Sequence, residues 1–72
     1  MKTNQLKVGL KVKTKVSNNA YYGGIIVKGE IGTIGAINCP NVRTKGVFQC
    51  VDFVINGEKK RASYHVSELE KV

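Results

Sequence analysis

The chain has 72 residues, with twelve lysines and arginines against five aspartates and glutamates, so its formal net charge is +7. A chain of this length forms one domain with one small core, and it leaves little room for a catalytic pocket. Because no stretch reaches about 20 apolar residues and the first residues do not lead into a secretory apolar region, we expect a soluble cytoplasmic protein. The charge favours a polyanion or an acidic protein as partner.

The first predicted strand, residues 10–16, carries the densest positive charge. Six lysines precede the first carboxylate, Glu30. Since side chains alternate between the two faces of a strand, the pattern predicts a core face of Leu10, Val12, Thr14 and Val16 and an exposed face of Lys11, Lys13 and Lys15. These lysines would stand about 6–7 Å apart along the strand. Two interpretations stay open: a face that binds an anionic partner, or lysines that prevent edge-to-edge aggregation.

Two predicted loops and a glycine-rich segment follow. Residues 17–24 are rich in turn formers and contain the adjacent aromatic residues Tyr21 and Tyr22. Residues 25–37 are rich in β-branched side chains, and glycine recurs at positions 29, 32 and 35. This pattern predicts a turn and a strongly bent strand. The second loop, residues 38–46, contains Arg43 and Lys45.

A hairpin and a short tail complete the chain. Residues 47–55 form a predicted strand that ends at Asn56-Gly57, a strong hairpin signal, and the return strand covers residues 59–65. The tail, residues 66–72, predicts one short 3-10 turn capped by Ser67 and then a last strand. The predicted core includes Val12, Ile34, Val51, Phe53 and Leu69.

The residues that could support metal, disulfide or acid-base chemistry are few. The only cysteines are Cys39 and Cys50, and the only histidine is His65. A structural zinc site needs four such ligands, so we predict no metal and no cofactor. In a cytosolic protein both thiols are expected to be free, with Cys39 reacting first. A surface or hydrogen-bonded role is expected for His65, and we predict no enzyme activity.

Five short strands with a single turn before the last one predict an all-β fold, a five-stranded barrel of residues 1–72 with residues 1–8 as a flexible N-terminal segment. The order of these pieces resembles the SH3-like barrels from Gly9 to Val72. Within it, Gly29, Gly32 and Ile34 resemble the glycine-centred turn of KOW modules. That resemblance implies binding to RNA, DNA, or the transcription and translation machinery.

Two further resemblances involve other SH3-like families. The chain is similar to the variable chain of ferredoxin-thioredoxin reductase and to the small basic SH3-like accessory protein of photosystem I, through an early Gly-x-x-Val at Gly9, a Gly-Thr-Ile turn at Gly32, a Val-x-Phe strand at Val51 and a closing Glu-Leu-Glu at Glu68. That similarity implies a non-catalytic chain that docks an acidic partner. Tyr64 and the tail resemble the end of the active-site strand of plasmid-encoded type II dihydrofolate reductases, but the pore glutamine of that family is missing here.

Three basic clusters and two adjacent tyrosines are the candidate binding residues. Cations suit a phosphate backbone, and aromatic rings suit unpaired bases. The predicted site consists of Lys11, Lys13, Lys15, Tyr21, Tyr22, Arg43, Lys45, Lys59, Lys60 and Arg61. We expect a non-catalytic module that binds nucleic acid, or alternatively docks an acidic protein such as a ferredoxin-type redox complex or the transcription machinery. Neither a membrane nor a small-molecule substrate is expected.

Overall fold

The fold is known from a computed structural model, which describes residues 3–21, 23–39 and 48–72. Most of these residues lie in strands. The strands are β1 (Lys11–Thr14), β2 (Asn18–Asn19), β3 (Ile25–Ile26), β4 (Ile31–Cys39), β5 (Phe48–Ile55), β6 (Glu58–His65) and β7 (Leu69–Lys71). Two single 3-10 turns, Thr3–Gln5 and Val66–Glu68, are the only helical elements in the described part.

Five strands form one antiparallel sheet in the order β6-β5-β4-β1-β7, and β2 pairs with β3 in a separate two-stranded hairpin. The ladder of the large sheet does not close on itself among the described residues. The five strands of this sheet fall in the segments that the sequence predicted. The first is shorter than expected, because the chain turns away after Thr14, and Val16 is 37% exposed instead of belonging to the core.

The core lies on one side of the five-stranded sheet. Val12, Ile34, Val51, Phe53 and Leu69 are all buried there, which confirms the predicted core. Phe53 packs edge-on against Tyr64, with ring centroids 6.1 Å apart. We call the opposite side of this sheet the outer face.

The hairpin turn and the final 3-10 turn are each stabilised by residues close to them in sequence. Asn56 and Gly57 have φ values of 52° and 79°, the pair of positive angles that a two-residue type I′ turn requires. The turn at Val66–Glu68 is present as predicted, but its cap is His65 and not Ser67. The His65 Nδ1 accepts a hydrogen bond from the Ser67 backbone, and Glu68 accepts one from the His65 backbone, which completes a capping box.

The segment between β1 and β3 covers the free edge of β6. The Asn18 side-chain amide donates to the Ser63 carbonyl at 2.6 Å, and the Tyr21 backbone N–H donates to the Arg61 carbonyl at 2.9 Å. These bonds satisfy carbonyls that β6 would otherwise leave open at the sheet edge. Near the N-terminus, Leu6 packs against the core. No helix in the described part is both long and apolar enough to cross a bilayer.

The prediction of two free thiols is wrong for Cys50, which is disulfide-bonded. Antiparallel pairing of β4 with β5 places Cys39 opposite Phe48, two residues from Cys50. Strand pairing therefore brings position 39 close to position 50, although the two are eleven residues apart in sequence. The prediction for the Cys39 thiol lies outside the described residues, because its side chain is not among them.

Candidate polyanion-binding face

The three lysines of the first strand segment are exposed on the outer face or just beyond its edge. Lys11 and Lys13 alternate with the buried Val12 and Thr14 in β1, and Lys15 follows the strand. The Lys15 backbone N–H donates to the Glu68 carbonyl at 2.8 Å, which ties this end of β1 to the turn before β7. None of the three ammonium groups forms an ion pair with another described residue. Their charges are thus available to a partner.

Strand register extends this positive face across the sheet. Lys11 lies opposite Thr33, Thr33 opposite Asp52, and Asp52 opposite Arg61. Directly opposite residues share a face, so these four side chains form one row on the outer face. The row begins and ends with a cation and contains a carboxylate in its interior.

A second row runs parallel to the first. Lys13 lies between Glu70 of β7 and Ile31 of β4, and Lys59 lies opposite Val54 of β5. The β4–β5 register, extended to the start of β4, places Ile31 opposite Val54. Since neighbouring strands are about 4.8 Å apart, Lys13 and Lys59 lie about 14 Å apart on either side of this apolar pair.

The basic cluster after the hairpin is divided between the two faces of β6. Lys59 is exposed on the outer face, whereas Lys60 lies opposite the buried Phe53 on the other side and pairs with Glu58 at 3.5 Å. Arg61 returns to the outer face. Only Lys59 therefore adds an unpaired charge to the lysines of β1, among the residues that the structure describes.

Arg61 and Asp52 form a two-bond ion pair. The guanidinium donates from Nε to one carboxylate oxygen at 2.6 Å and from Nη2 to the other at 3.1 Å. Gly35 of β4 makes space for it, because a Cβ at that position would overlap the Asp52 carboxylate and lie 2.8 Å from the Arg61 Nη2. Both side chains are partly exposed, so the pair contributes at most about 1 kcal/mol to stability. It also lowers the positive charge that Arg61 offers to a partner.

Tyr21 is held at the edge of β6 with half of its surface exposed. Its hydroxyl hydrogen-bonds to the Ser63 hydroxyl and lies 3.4 Å from the Cys50 sulfur. The ring borders an open depression whose lining is formed by Tyr21, Thr33, Asp52, Phe53, Val54, Lys59, Lys60 and Arg61. One predicted tyrosine and the hairpin cluster are thus neighbours. The predicted site residues Tyr22, Arg43 and Lys45 lie outside the described residues.

Two exposed aliphatic residues on the outer face were not among the predicted site residues. Ile31 is 52% exposed and Val54 is 69% exposed. The period-two alternation could have identified Val54, because it shares a strand face with Asp52 and follows the inward-facing Phe53. The outer face therefore combines two apolar side chains with flanking lysines.

Three of the five carboxylates and the histidine have structural partners. Asp52 pairs with Arg61, Glu58 with Lys60, and Glu68 with the backbone of His65. Within the described residues, no group of three or more His, Cys, Asp or Glu side chains could hold a metal ion.

One tyrosine has a perturbed acidity, and it lies in the core. Burial, followed by the charge of Glu68, raises the pKa of Tyr64 to about 12. The Tyr64 hydroxyl and the Gln49 amide oxygen are buried without a hydrogen-bond partner among the described residues, and the two residues lie opposite each other on β6 and β5. A tyrosine held neutral in this way is not poised for proton transfer near neutral pH.

No family model, curated protein or solved structure matches this chain.

Proposed function

We propose that the chain is a small non-catalytic basic module that binds nucleic acid through the outer face of its sheet. We also propose an SH3-like barrel architecture, related in kind to KOW modules. The order of five antiparallel strands, the 3-10 turn before β7 and the cover that Asn18 and Tyr21 provide at the β6 edge support this architecture.

The observation that carries the functional proposal is the set of exposed lysines on one sheet face. Lys11, Lys13 and Lys59 share the outer face and make no ion pair among the described residues. Each such cation can replace a counterion on a phosphate backbone, and the release of that counterion favours binding. Glu70 beside Lys13 and Asp52 beside Arg61 limit this face to a moderate positive charge.

Recognition would depend on the backbone more than on base sequence. In the described residues the only helical elements are single 3-10 turns, so no helix there could enter a major groove. Contacts from lysine to phosphate position a nucleic acid but carry no base information. We therefore expect similar affinities for strands of different sequence.

The test is a salt titration of labelled single-stranded and duplex oligonucleotides. Replacing Lys11, Lys13 and Lys59 together with alanine should flatten the plot of log affinity against log salt by about two units for a single strand, at about 0.7 per phosphate contact. The matched control replaces Lys7, Lys28 and Lys71, which removes the same charge from other exposed positions.

Two outcomes would contradict the proposal. Equal slopes for the two triple variants would mean that only net charge matters and that the outer face is not the site. An absence of binding by the unmodified protein at low salt would remove nucleic acid as the partner.

A second candidate function is docking of an acidic protein, and the exposed Ile31 and Val54 favour it. Protein interfaces combine an apolar centre with a polar rim, and here the two aliphatic side chains lie between Lys13 and Lys59. Acidic partners of this kind include ferredoxin-type redox proteins and parts of the transcription machinery.

Replacing Ile31 and Val54 together with serine separates the two candidates. The double variant should weaken binding of an acidic ferredoxin, used as the probe in calorimetry, if the face docks proteins. It should leave the affinity for a duplex oligonucleotide within about twofold if lysine-phosphate contacts dominate, because it removes no charge.

A further inference from the structure

The depression beside β6 combines an aromatic ring with Lys59, which is unpaired among the described residues, on one open surface. Tyr21 forms one side of it, Lys59 lies on the hairpin side, and Thr33 and Val54 contribute from the neighbouring strands. Lys60 and Arg61 also border it, but they are paired with Glu58 and Asp52. Half of the Tyr21 surface remains exposed. An exposed aromatic ring beside an available cation is an arrangement that suits single-stranded nucleic acid, because a base stacks on the ring while a neighbouring phosphate contacts the cation.

The Tyr21 ring is also held in place by the fold. Its hydroxyl bonds to Ser63, and its backbone N–H donates to the Arg61 carbonyl, so both ends of the residue are fixed to β6. A ring that is already ordered loses little side-chain entropy when a ligand stacks on it. Tyr21 therefore offers a prearranged surface.

We infer that this depression accepts one unpaired nucleobase against Tyr21, so that the protein binds single strands in preference to duplexes. The inference rests on the proposed nucleic-acid function and names the class of strand. In a duplex both faces of a base are already stacked on neighbouring base pairs. Such a base can stack on Tyr21 only if it is extruded from the duplex, at a cost of a few kcal/mol.

The cations on either side fit this ligand. Lys59 is exposed on the outer face and has no ion pair among the described residues, so it can contact a phosphate next to the bound base. Lys13 lies about 14 Å across the same face, within reach of phosphates further along an extended strand. The strand would then cross β5 and β4 between the two lysines.

The experiment compares a single-stranded oligothymidylate with a duplex of the same length. Tyr21→Leu keeps an apolar side chain but removes the aromatic face, and we expect single-strand affinity to fall by about 5- to 150-fold, the range that alanine substitution of stacking residues gives. Duplex affinity and the salt slope should stay unchanged, since no charge is lost. Tyr21→Phe should retain most of the affinity, and Ile25→Ala, an exposed aliphatic change in β3, should have no effect.

A second arm uses the unmodified protein, so its result does not depend on the folding of a variant. A single strand in which every base is replaced by an abasic site should bind as weakly as the intact strand binds to the Tyr21→Leu variant. Equal losses for single strand and duplex, or full affinity for the abasic strand, would overturn the inference and leave the lysine face intact as a backbone site. Failure of the unmodified protein to bind either oligonucleotide at low salt would instead refute the proposed function.

Discussion

Truncation of Phe53 to alanine tests the strand register on which the whole outer face depends. Phe53 is 2% exposed and packs edge-on against Tyr64. Removing a buried phenylalanine ring costs about 3–5 kcal/mol through lost transfer energy and the cavity left behind. A 72-residue domain has a total stability of about 4–11 kcal/mol at 0.05–0.15 kcal/mol per residue. The variant should therefore lose a large share of its stability.

Urea unfolding followed by far-ultraviolet circular dichroism measures this loss. If Phe53→Ala is unfolded from the start, Phe53→Leu provides a milder change, with an expected loss of about 1–2 kcal/mol. The control is Val54→Ala on the neighbouring position, which faces outward and should change stability by no more than about 0.5 kcal/mol. A loss below about 1 kcal/mol for Phe53→Ala, together with a large loss for Val54→Ala, would mean that β5 is registered the other way round. The outer face described here would then be the core.

Three further predictions concern individual side chains. The pKa of Tyr64 is raised to about 12 in the fold, so the folded state favours the neutral phenol. This contribution to stability is complete below pH 10 and is lost as pH rises toward about 12. The free energy of unfolding should therefore fall by about 2–3 kcal/mol over that window. Tyr64→Phe should abolish that part of the fall, and an unchanged pH profile would contradict it. Removing the His65 cap by His65→Ala should cost about 0.5–2 kcal/mol in urea unfolding, and no loss would show that the turn does not depend on it. Intact mass under non-reducing conditions should be two daltons below the reduced value because Cys50 is in a disulfide, whereas full alkylation without reductant would restore the free-thiol prediction.

Much of the fold could be predicted because the signals were local. The alternation around Val12 and the Asn56-Gly57 turn each depend on residues close in sequence, and both correspond to observed structure. The end of β1 could not be predicted in this way, because the chain leaves the strand where Thr14 bonds to Gly29 and Glu30.

The candidate site was harder to predict because charges from distant segments meet in the sheet. The first 28 residues contain no carboxylate, yet strand pairing places Glu70 beside Lys13. In the same way, Arg61 belongs to a basic run in the sequence but is paired with Asp52 in the fold. The disulfide at Cys50 was missed because an expected compartment, and not strand geometry, decided the prediction. Measuring whether Cys50 is oxidised or reduced in cells therefore also tests the predicted cytoplasmic location.

Mapping of backbone amide shifts by nuclear magnetic resonance, during titration with a single-stranded oligonucleotide at low salt, tests the central claim most directly. If the outer face binds the strand, the largest shifts should fall on Lys11, Lys13, Ile31, Val54 and Lys59, and Tyr21 should move with them. The amide signals of exposed residues elsewhere, such as Val8 and Ile25, should not shift. Shifts centred on β3, or the absence of any shift at saturating oligonucleotide, would contradict the account.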